Sequence, residues 1–531
     1  MNINQARAAI REGRTSVGIE FGSTRIKAAL IDADAQVLAW GSHDWENQFA
    51  DRLWTYSVDA IWAGLQECYA DLANDVRQRY GLELTTIGAI GISAMMHGYL
   101  AFDAAGELLV PFRTWRNTNT KVAAEELTEL FSYNIPQRWS IAHLHQAVVD
   151  SEEHVSQVAS INTLAGYVHW VLTGERVIGV GDASGMFPID PVTKNYNSRM
   201  LSELELLLAE KGFDWRLREL LPKVLPAGAG AGALTTSGAL LLDPTGKLAA
   251  GIAFCPPEGD AGTGMVATNS VARRTGNVSA GTSIFAMIVL ERDLKELHTE
   301  IDMVTTPAGD AVAMVHCNNG ASELNEWCSL FEEFSAAAGE KVDSQTVFSA
   351  LLAKALEAKS DAGGLLAFNN LSGEPITGLE AGRPLFLRTP ESNFTLANFM
   401  RAQLYAVFAT LHLGMRILAD EEVGLDKMFA HGGIFRTKGV AQRFLAAALG
   451  APVSVSATAG EGGPWGMAVL ASYLLANDGH LSLGEYLNTV VFAQTEFETL
   501  APDPDDAAGF GKYMERYEAA LAVEQAAIAH S

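Results

Sequence analysis

The residues best suited to chemistry lie in a short stretch near the start of the chain, Val17–Asp32. Its pattern predicts two strands joined by a glycine turn over Phe21–Thr24, with the carboxylate of Glu20 closing the first strand. Backbone N–H groups and hydroxyls in such a turn suit a phosphate, and an adjacent carboxylate suits hydrated Mg²⁺. Hairpins that bind nothing also turn at glycine, so this motif alone leaves both interpretations open.

A second copy of the pattern lies far downstream, at Val278–Ala286, and again has the order strand, Gly-Thr-Ser turn, strand. Two such turns indicate two related halves that bind one nucleotide. The predicted phosphate-binding residues are Gly22, Ser23, Thr24 and Lys27 in the first copy, and Gly281, Thr282 and Ser283 in the second.

Length and composition limit the function classes. A chain of 531 residues is long enough for two domains with separate cores, and 48% hydrophobic with 19% charged residues is typical of a globular protein. A net charge of −26 argues against nucleic acid or an anionic membrane as partner. Four cysteines without a CxxC pair and a polar N-terminal stretch favour the cytoplasm.

The elements around the first turn follow an α/β order. A third strand is predicted at Val37–Trp40, an apolar-striped helix over Ser57–Tyr80 that ends at Gly81, and a buried strand at Ile87–Ser93. Three antiparallel strands, a helix and a parallel strand form the order of an RNase H-like unit. The second half repeats it, and the tail from Ala501 is predicted to be a turn followed by a surface helix.

The common nucleotide motifs are absent from the sequence. It contains no G-x-x-x-x-G-K-[ST] segment and lacks the protein-kinase motifs. Nucleotide binding is therefore expected from the paired glycine turns and from His431–Ile434, which follows a predicted strand.

Taken together, five segments resemble the FGGY carbohydrate kinases, and within them the xylulokinase and ribulokinase branch. In order they are GIEFGSTRIKAA, ISAMMHGYLAFD, GDASG, PPEGDAGTG with SAGTS behind it, and HGGIF followed by GEGGPWGMAVLA. The resemblance implies two RNase H-like domains of the actin/hexokinase/Hsp70 ATPase type around a central cleft. Residues 1–266 are expected to bind sugar and residues 267–531 to bind ATP, with Mg²⁺ as the metal.

The family's catalytic aspartate falls at Asp260, which the resemblance makes the base that accepts the proton of the sugar hydroxyl. An aspartate that only caps the following helix is the alternative. Glu20 stands where the family usually has aspartate, and its extra methylene moves the carboxylate by about 1.5 Å. Both carboxylates are predicted metal ligands.

Sugar contacts are implied at Met96 and His97, which match the family's Met-His-Gly segment. Trp115 and Asn117 fall where relatives carry Trp-x-Asp-x-Arg, with Asn119 in place of the arginine. An amide both donates and accepts hydrogen bonds, so this change affects the expected substrate. Asp182 would supply a further carboxylate, or would cap a turn.

For the adenosine, the resemblance points to Gly432, Gly433 and Phe435. The resemblance also implies that Glu461, which opens a predicted helix of the same half, binds the nucleotide. The alternative is an N-terminal charge that is favoured only by the helix dipole.

The predicted function is ATP-dependent phosphorylation of a small sugar, a five-carbon ketose or polyol, in carbohydrate catabolism. An ATPase or sensor on the same actin-like core and a catalytically inactive sugar-binding regulator are the rivals, because Glu20, Asn117 and Asn119 depart from the family pattern. The expected partner is the sugar itself, without nucleic acid or membrane, and a homodimer is left open.

Overall fold

The structure is a computed structural model that describes residues 2–456, 462–477 and 479–530. Its backbone contacts divide the chain into two compact units. The first contains Met1–Val271, Met303–Val312 and Glu461–Gln494, and the second contains Ala272–Asp302, Ala313–Gly460 and Thr495–Ser531. Both units are discontinuous in sequence, whereas the division expected from the sequence is a single boundary after residue 266. That boundary stays a prediction for the two functional domains.

The first unit is built on a sheet whose central strands carry the predicted chemistry. Its strands are β1 (Ser16–Phe21), β2 (Arg25–Ile31), β3 (Val37–Asp44), β4 (Ala89–Ala94), β5 (Ala253–Phe254) and β6 (Glu258–Gly259). The order is β5-β4-β1-β2-β3, with β6 also pairing with β4. β1, β2 and β3 are antiparallel, and β4 runs parallel to β1. The predicted strand order is confirmed.

The sheet with the repeated hairpin lies mainly in the second unit. Its strands are β7 (Thr275–Ala280), β8 (Ile284–Val289), β9 (Ile301–Thr305), β10 (Ala311–Cys317), β11 (Lys427–Gly432), β12 (Val453–Ser456) and β13 (Phe497–Leu500). Most of β9 and the start of β10 fall in Met303–Val312, which belongs to the first unit. The order is β9-β10-β8-β7-β11-β12-β13. β7 is antiparallel to β8 and parallel to β11, as β1 is to β2 and β4.

Helices cover and connect the sheets. Those of at least eight residues are α1 (Ile3–Arg11), α2 (Val58–Tyr80), α3 (Lys121–Phe131), α4 (Ser140–Val149), α5 (Leu164–Thr173), α6 (Ser198–Glu210), α7 (Asp260–Ala267), α8 (Ser322–Ala337), α9 (Ser344–Lys354), α10 (Leu396–Asp420), α11 (Val440–Leu449), α12 (Gly462–Ala476) and α13 (Pro504–His530). Short two-stranded ribbons pair 48–50 with 53–55, 100–102 with 160–162, 177–179 with 223–225, 189–190 with 195–196, and 366–368 with 385–387.

The ends of α2 follow the local sequence. The hydroxyl of Ser57 accepts a hydrogen bond from the N–H of Ala60, which satisfies one of the free donors of the first turn. At the other end Gly81 adopts φ +63°, a left-handed cap that glycine takes without steric cost. The predicted helix over Ser57–Tyr80 is confirmed.

Helix α12 comes late in the sequence but belongs to the first unit, where it packs on β1. A Cβ on Gly18 of β1 would lie 2.1 Å from the carbonyl oxygen of Pro464, so only glycine allows this approach. The indole N–H of Trp465 donates to the carbonyl of Ala35 at 2.9 Å. The packing brings the first turn of α12 to the end of β1.

Two helices of the second unit need comment. Within the described residues, α10 is long and apolar enough to cross a membrane, but 67% of its most apolar window is buried in the fold, as expected of a core helix. The prediction of a surface helix at the C-terminus is confirmed by α13, most of whose residues are not buried, and one face of the helix packs on the core. Phe510, Tyr513 and Tyr517 are buried, and the Tyr513 hydroxyl donates to the carbonyls of Ala367 and Ala402.

Candidate active site

The first glycine turn is held by two aromatic side chains. The indole N–H of Trp45 donates to the carbonyl of Gly22 at 2.7 Å, and its backbone N–H donates to that of Thr24 at 3.1 Å. The hydroxyl of Tyr56 donates to the carbonyl of Ser23 at 2.6 Å, and the Trp45 and Tyr56 rings stack 4.0 Å apart. Because the carbonyls are engaged on this side, the turn can present its N–H and hydroxyl groups to a phosphate.

Glu20 lies at the end of β1 against the start of α12. A Cβ on Gly463 would lie 1.3 Å from Oε2 of Glu20, so the carboxylate occupies the space that a larger residue would need. Lys27 is its partner across the β1–β2 register. Burial, and then the negative charge of Asp260, raise the pKa of Glu20 to about 8, although Lys27 opposes the shift. The charge of Asp260 therefore reaches Glu20.

Asp260 is the first residue of α7, directly after β6. Its Oδ1 accepts a hydrogen bond from the backbone N–H of Met96 at 3.1 Å, which joins the predicted base to the predicted sugar segment. Asp260 keeps part of its surface open to solvent. The protein atoms around its carboxylate raise its pKa, against the stabilising hydrogen bond from Met96. A carboxylate with a raised pKa is a better proton acceptor than an ordinary aspartate.

Asp182 is a second carboxylate near Asp260, and it is 1% exposed. Its Oδ2 accepts a hydrogen bond from the Thr163 hydroxyl at 2.7 Å, and its Oδ1 has no partner among the described residues. Burial raises its pKa to about 7, with a contribution from the charge of Asp260. This oxygen is enclosed by the protein, so a contact between Asp182 and a substrate hydroxyl stays a prediction.

Sequence reasoning missed Glu258, a buried carboxylate two residues before Asp260. Its oxygens accept the backbone N–H groups of Gly181, at 3.2 Å, and of Asp182, at 2.9 Å. Cβ atoms on Gly179 or Gly181 would lie within 2.4 Å of this carboxylate. The glycine spacing of the GDASG region was the available signal, because it leaves room for a side chain from elsewhere. Glu258 fixes Asp182 relative to Asp260.

The Met96-His97-Gly98 segment is a constrained turn. His97 has φ +70° and Gly98 has φ +90°, and a left-handed conformation is uncommon for a residue other than glycine. Nδ1 of His97 lies 3.2 Å from the carbonyl oxygen of Gly185, and the Ser140 hydroxyl donates to the carbonyl of Gly98. Such strain at a residue next to a candidate base is typical of a functional site.

The Trp115–Asn119 loop is held in place by the amide of Asn117 rather than leaving that amide open for a sugar. Asn117 is buried, and its amide pairs with the backbone of Trp54, accepting the N–H at 2.9 Å and donating to the carbonyl at 2.8 Å. Trp115 and Asn119 are exposed. The Arg116 guanidinium lies 3.6 Å from the Trp54 ring centroid. Asn117 therefore anchors this loop, and a direct contact with substrate stays a prediction.

The second glycine turn, in the other unit, has its carbonyls engaged by backbone groups. The N–H of Gly320 donates to the carbonyl of Thr282 at 2.7 Å, and the N–H of Ala321 donates to that of Gly281 at 2.8 Å. A Cβ on Gly320 would lie 2.5 Å from the Gly281 carbonyl oxygen. Ser283 is half-buried, while Gly281 and Thr282 are exposed.

The predicted adenosine residues follow the end of β11 in the same unit. Gly432 has φ +124°, and a Cβ there would lie 2.0 Å from the carbonyl oxygen of Ala280, so this position requires glycine. Gly433 is exposed with open space around its Cα, and Phe435 is buried. Register pairs Gly432 with Ala280, next to the second turn. Glu461 lies outside the described residues.

The donors around Glu20 and Asp260 fit hydrated Mg²⁺. The structure supplies two carboxylates, and the charge of Asp260 raises the pKa of Glu20, an effect that a bound cation would oppose. Among the residues described, no group of three or more His, Cys, Asp or Glu side chains is placed to hold a metal. Mg²⁺ commonly keeps several waters and takes one or two carboxylates, so the two-carboxylate arrangement is consistent with it.

Sequence comparison matches both halves of the chain to one family. Residues 15–244 match the N-terminal domain, and residues 276–475 the C-terminal domain, of the FGGY family of carbohydrate kinases. L-fuculokinase from Salmonella typhi is 24% identical over 238 residues, which cover 42% of this chain and 47% of that protein. The chain thus aligns with about half the length of this curated relative.

Solved structures share the fold over nearly the whole chain. A ligand-bound xylulose kinase from Lactobacillus acidophilus superposes with a TM-score of 0.77 at 18% identity, covering 96% of this chain and 99% of that one. A gluconate kinase from the same species gives 0.76 at 18% identity, covering 96% and 98%. At these identities the likeness confirms the predicted two-domain fold.

Proposed function

Because the chain belongs to the FGGY family of carbohydrate kinases, we propose that it transfers a phosphoryl group from ATP to a hydroxyl of a five-carbon ketose or polyol. The observation that carries the proposal is the 3.1 Å hydrogen bond from the Met96 N–H to Asp260. It joins the segment that would contact the sugar to the carboxylate that would deprotonate it.

In this proposal Asp260 accepts the proton as the sugar hydroxyl attacks the γ-phosphorus. Its hydrogen bond from Met96 fixes the orientation of the carboxylate that accepts the proton. Asp182 accepts a second sugar hydroxyl through its free oxygen. Glu20 and Asp260 would hold Mg²⁺, which supplies positive charge to the transferring phosphoryl group.

The two glycine turns would contact phosphate oxygens. Gly22, Ser23 and Thr24 lie in a turn fixed by Trp45 and Tyr56. In the second unit, Gly281, Thr282 and Ser283 lie in a turn fixed by Gly320 and Ala321. Gly432, Gly433 and Phe435 follow the neighbouring strand and would contact the adenosine.

The substrate proposal is tested by ADP release with Mg·ATP across a panel of ketoses, aldoses, sugar acids and polyols. Turnover that depends on one or two five-carbon ketoses or polyols is the expected result. Sugar-independent turnover would favour an ATPase or sensor. Sugar binding by calorimetry without turnover would favour an inactive regulator. Cytoplasmic location and homodimer assembly stay predictions.

A further inference from the structure

The second unit encloses a group of oxygen atoms that lie outside the proposed active site. We call Asn369, Asn370, Glu374, Tyr517 and Glu524 the oxygen cluster. All five residues are at most 2% exposed. One oxygen of each has no hydrogen-bond partner in the described part of the chain: Asn369 Oδ1, Asn370 Oδ1, Glu374 Oε1, Tyr517 OH and Glu524 Oε2. Buried polar atoms in native proteins are nearly always paired, so five in one cluster require an explanation.

Hydrogen bonds and charge place these residues together. The Asn370 amide donates to Oε1 of Glu524 at 3.0 Å. Asn319 donates through its amide and its backbone N–H to Oε2 of Glu374, at 3.1 and 3.3 Å. The charges of both Glu374 and Glu524 reach the Tyr517 hydroxyl and, after burial, raise its pKa further. Each carboxylate is thus held through one oxygen, with the backbone N–H of Arg383 also donating to Oε1 of Glu524 at 3.3 Å, while its other oxygen stays open.

The two carboxylates of the cluster are not neutralised by an ion pair in the described part of the chain. Neither Glu374 nor Glu524 takes part in an ion pair within the described residues. Two enclosed carboxylates without a cation are costly, because burial penalises the charged form. The same burial raises the pKa of Glu374 to about 7 and raises that of Glu524.

We propose that the oxygen cluster binds a hard divalent cation through the two carboxylates, the two amide oxygens and the tyrosine hydroxyl. Ca²⁺ takes six to eight oxygen ligands of these kinds, and Mg²⁺ and Mn²⁺ also prefer oxygen. Two carboxylates neutralise one divalent ion. This site is separate from the carboxylates of Glu20 and Asp260, which belong to the first unit.

The cluster is linked to the second glycine turn through Asn369. The Asn369 amide donates to the carbonyl of Gly320 at 2.8 Å and to that of Asn319 at 3.2 Å. Gly320 in turn donates to the carbonyl of Thr282. A bound cation would hold the Asn369 amide by its oxygen and so fix the residues that support this turn.

The test measures metal binding by the full chain without nucleotide. After stripping with EDTA and dialysis against Ca²⁺, Mg²⁺ or Mn²⁺, we expect about one equivalent of cation per chain at this site, by mass spectrometry of the elements. Tb³⁺ luminescence excited through Tyr517 should report the same site. The double variant Glu374→Gln/Glu524→Gln should lose both signals, and Asp260→Asn should keep them.

A folding control keeps the test decisive. Because Gln removes two enclosed charges, the double variant in EDTA should melt at or above the temperature of the stripped wild-type chain, and only the wild type should gain stability on adding Ca²⁺. Tyr517→Phe, which keeps the ring and removes one oxygen, should weaken Tb³⁺ binding several-fold. A cluster filled only by water would give no retained cation in the wild type, or equal retention in the double variant. Either result would overturn the proposal.

Discussion

The two glycine turns have the same hairpin topology but different surroundings. In the first, Glu20 ends β1 beside Asp260, and aromatic side chains engage the carbonyls of the turn. In the second, Ser279 stands at the place of Glu20, and the backbone N–H groups of Gly320 and Ala321 engage the carbonyls. A repeated hairpin has thus kept its shape while only one copy carries a carboxylate.

The difference separates two tasks that one motif can perform. A turn with outward N–H and hydroxyl groups can bind phosphate in either unit. Proton transfer and metal binding need carboxylates, and in the proposed function these belong to the first unit, at Glu20, Asp182 and Asp260. Changes near the first turn should therefore act on turnover, and changes near the second on nucleotide binding and local stability.

Removing the proposed base should have the largest effect. Asp260→Asn keeps the shape of the side chain and an acceptor for the Met96 N–H, so we expect sugar binding to persist while kcat falls about 10²–10⁴-fold. Sugar-dependent ADP release measures it. The matched control is Asp214→Asn, an exposed aspartate of the same unit, which should leave kcat unchanged. Near-normal kcat in Asp260→Asn would exclude this residue as the base.

The second-largest expected effect is on the Mg²⁺ requirement, and it follows when the Glu20 carboxylate is moved but not replaced. In Gly463→Ala, the new Cβ would meet Oε2 of Glu20 at 1.3 Å, so the carboxylate must move. We expect a 10–100-fold higher Mg²⁺ requirement, the range found for altered support of metal ligands. Gly264→Ala, whose Cβ would enter open space, is the control for a glycine-to-alanine change within a helix. Equal Mg²⁺ titrations for the two variants would contradict a metal role for Glu20.

Two neighbouring glycines test the second turn. Gly432→Ala forces φ +124° on alanine and brings its Cβ to 2.0 Å from the Ala280 carbonyl, so we expect a loss of about 1–3 kcal/mol in the free energy of unfolding and weaker ADP binding. Gly433→Ala has open space and should change the free energy of unfolding little. Denaturant titrations and calorimetry with ADP compare the pair, and equal behaviour would show that the strand pairing at Gly432 tolerates a side chain.

The smallest expected effect is a pH dependence of the free energy of unfolding. The pKa of Asp182 is raised to about 7 in the folded chain, so between its ordinary value of 3.8 and about 7 the folded state holds a proton that the unfolded state lacks. Stability therefore falls as pH rises through this window. Asp182→Asn, which keeps an acceptor for Thr163, should gain stability over wild type from pH 5 to pH 8. If the stability advantage of Asp182→Asn over wild type shrinks as pH rises, Asp182 does not hold this extra proton in the folded state.

Local patterns predicted much of the fold. The two hairpins, the helix between Ser57 and Gly81 and the strand at Ile87–Ser93 follow from caps, glycines and apolar spacing, all within a few residues. The buried face of α13 did not, because Tyr513 and Tyr517 pack on segments more than a hundred residues earlier.

The candidate site was predictable to the extent that it lies in motifs. Glu20 and Asp260 were found from motif positions, and the structure brings them close enough to interact electrostatically. The roles of Asn117 and Glu258 could not be predicted, because their partners, the backbone of Trp54 and of Gly181–Asp182, lie far away in sequence. Contacts of that kind depend on the completed fold.

The return of α12 to the first unit has a consequence for how the chain is made. During synthesis β1 emerges early, but the helix that covers Gly18 and positions Gly463 against Glu20 emerges only after the second sheet has largely been translated. Until then, the face of β1 on which α12 packs is bare apolar surface, which favours aggregation of partly made chains. A chain that ends before residue 462 should therefore depend on chaperones more than the full-length chain does.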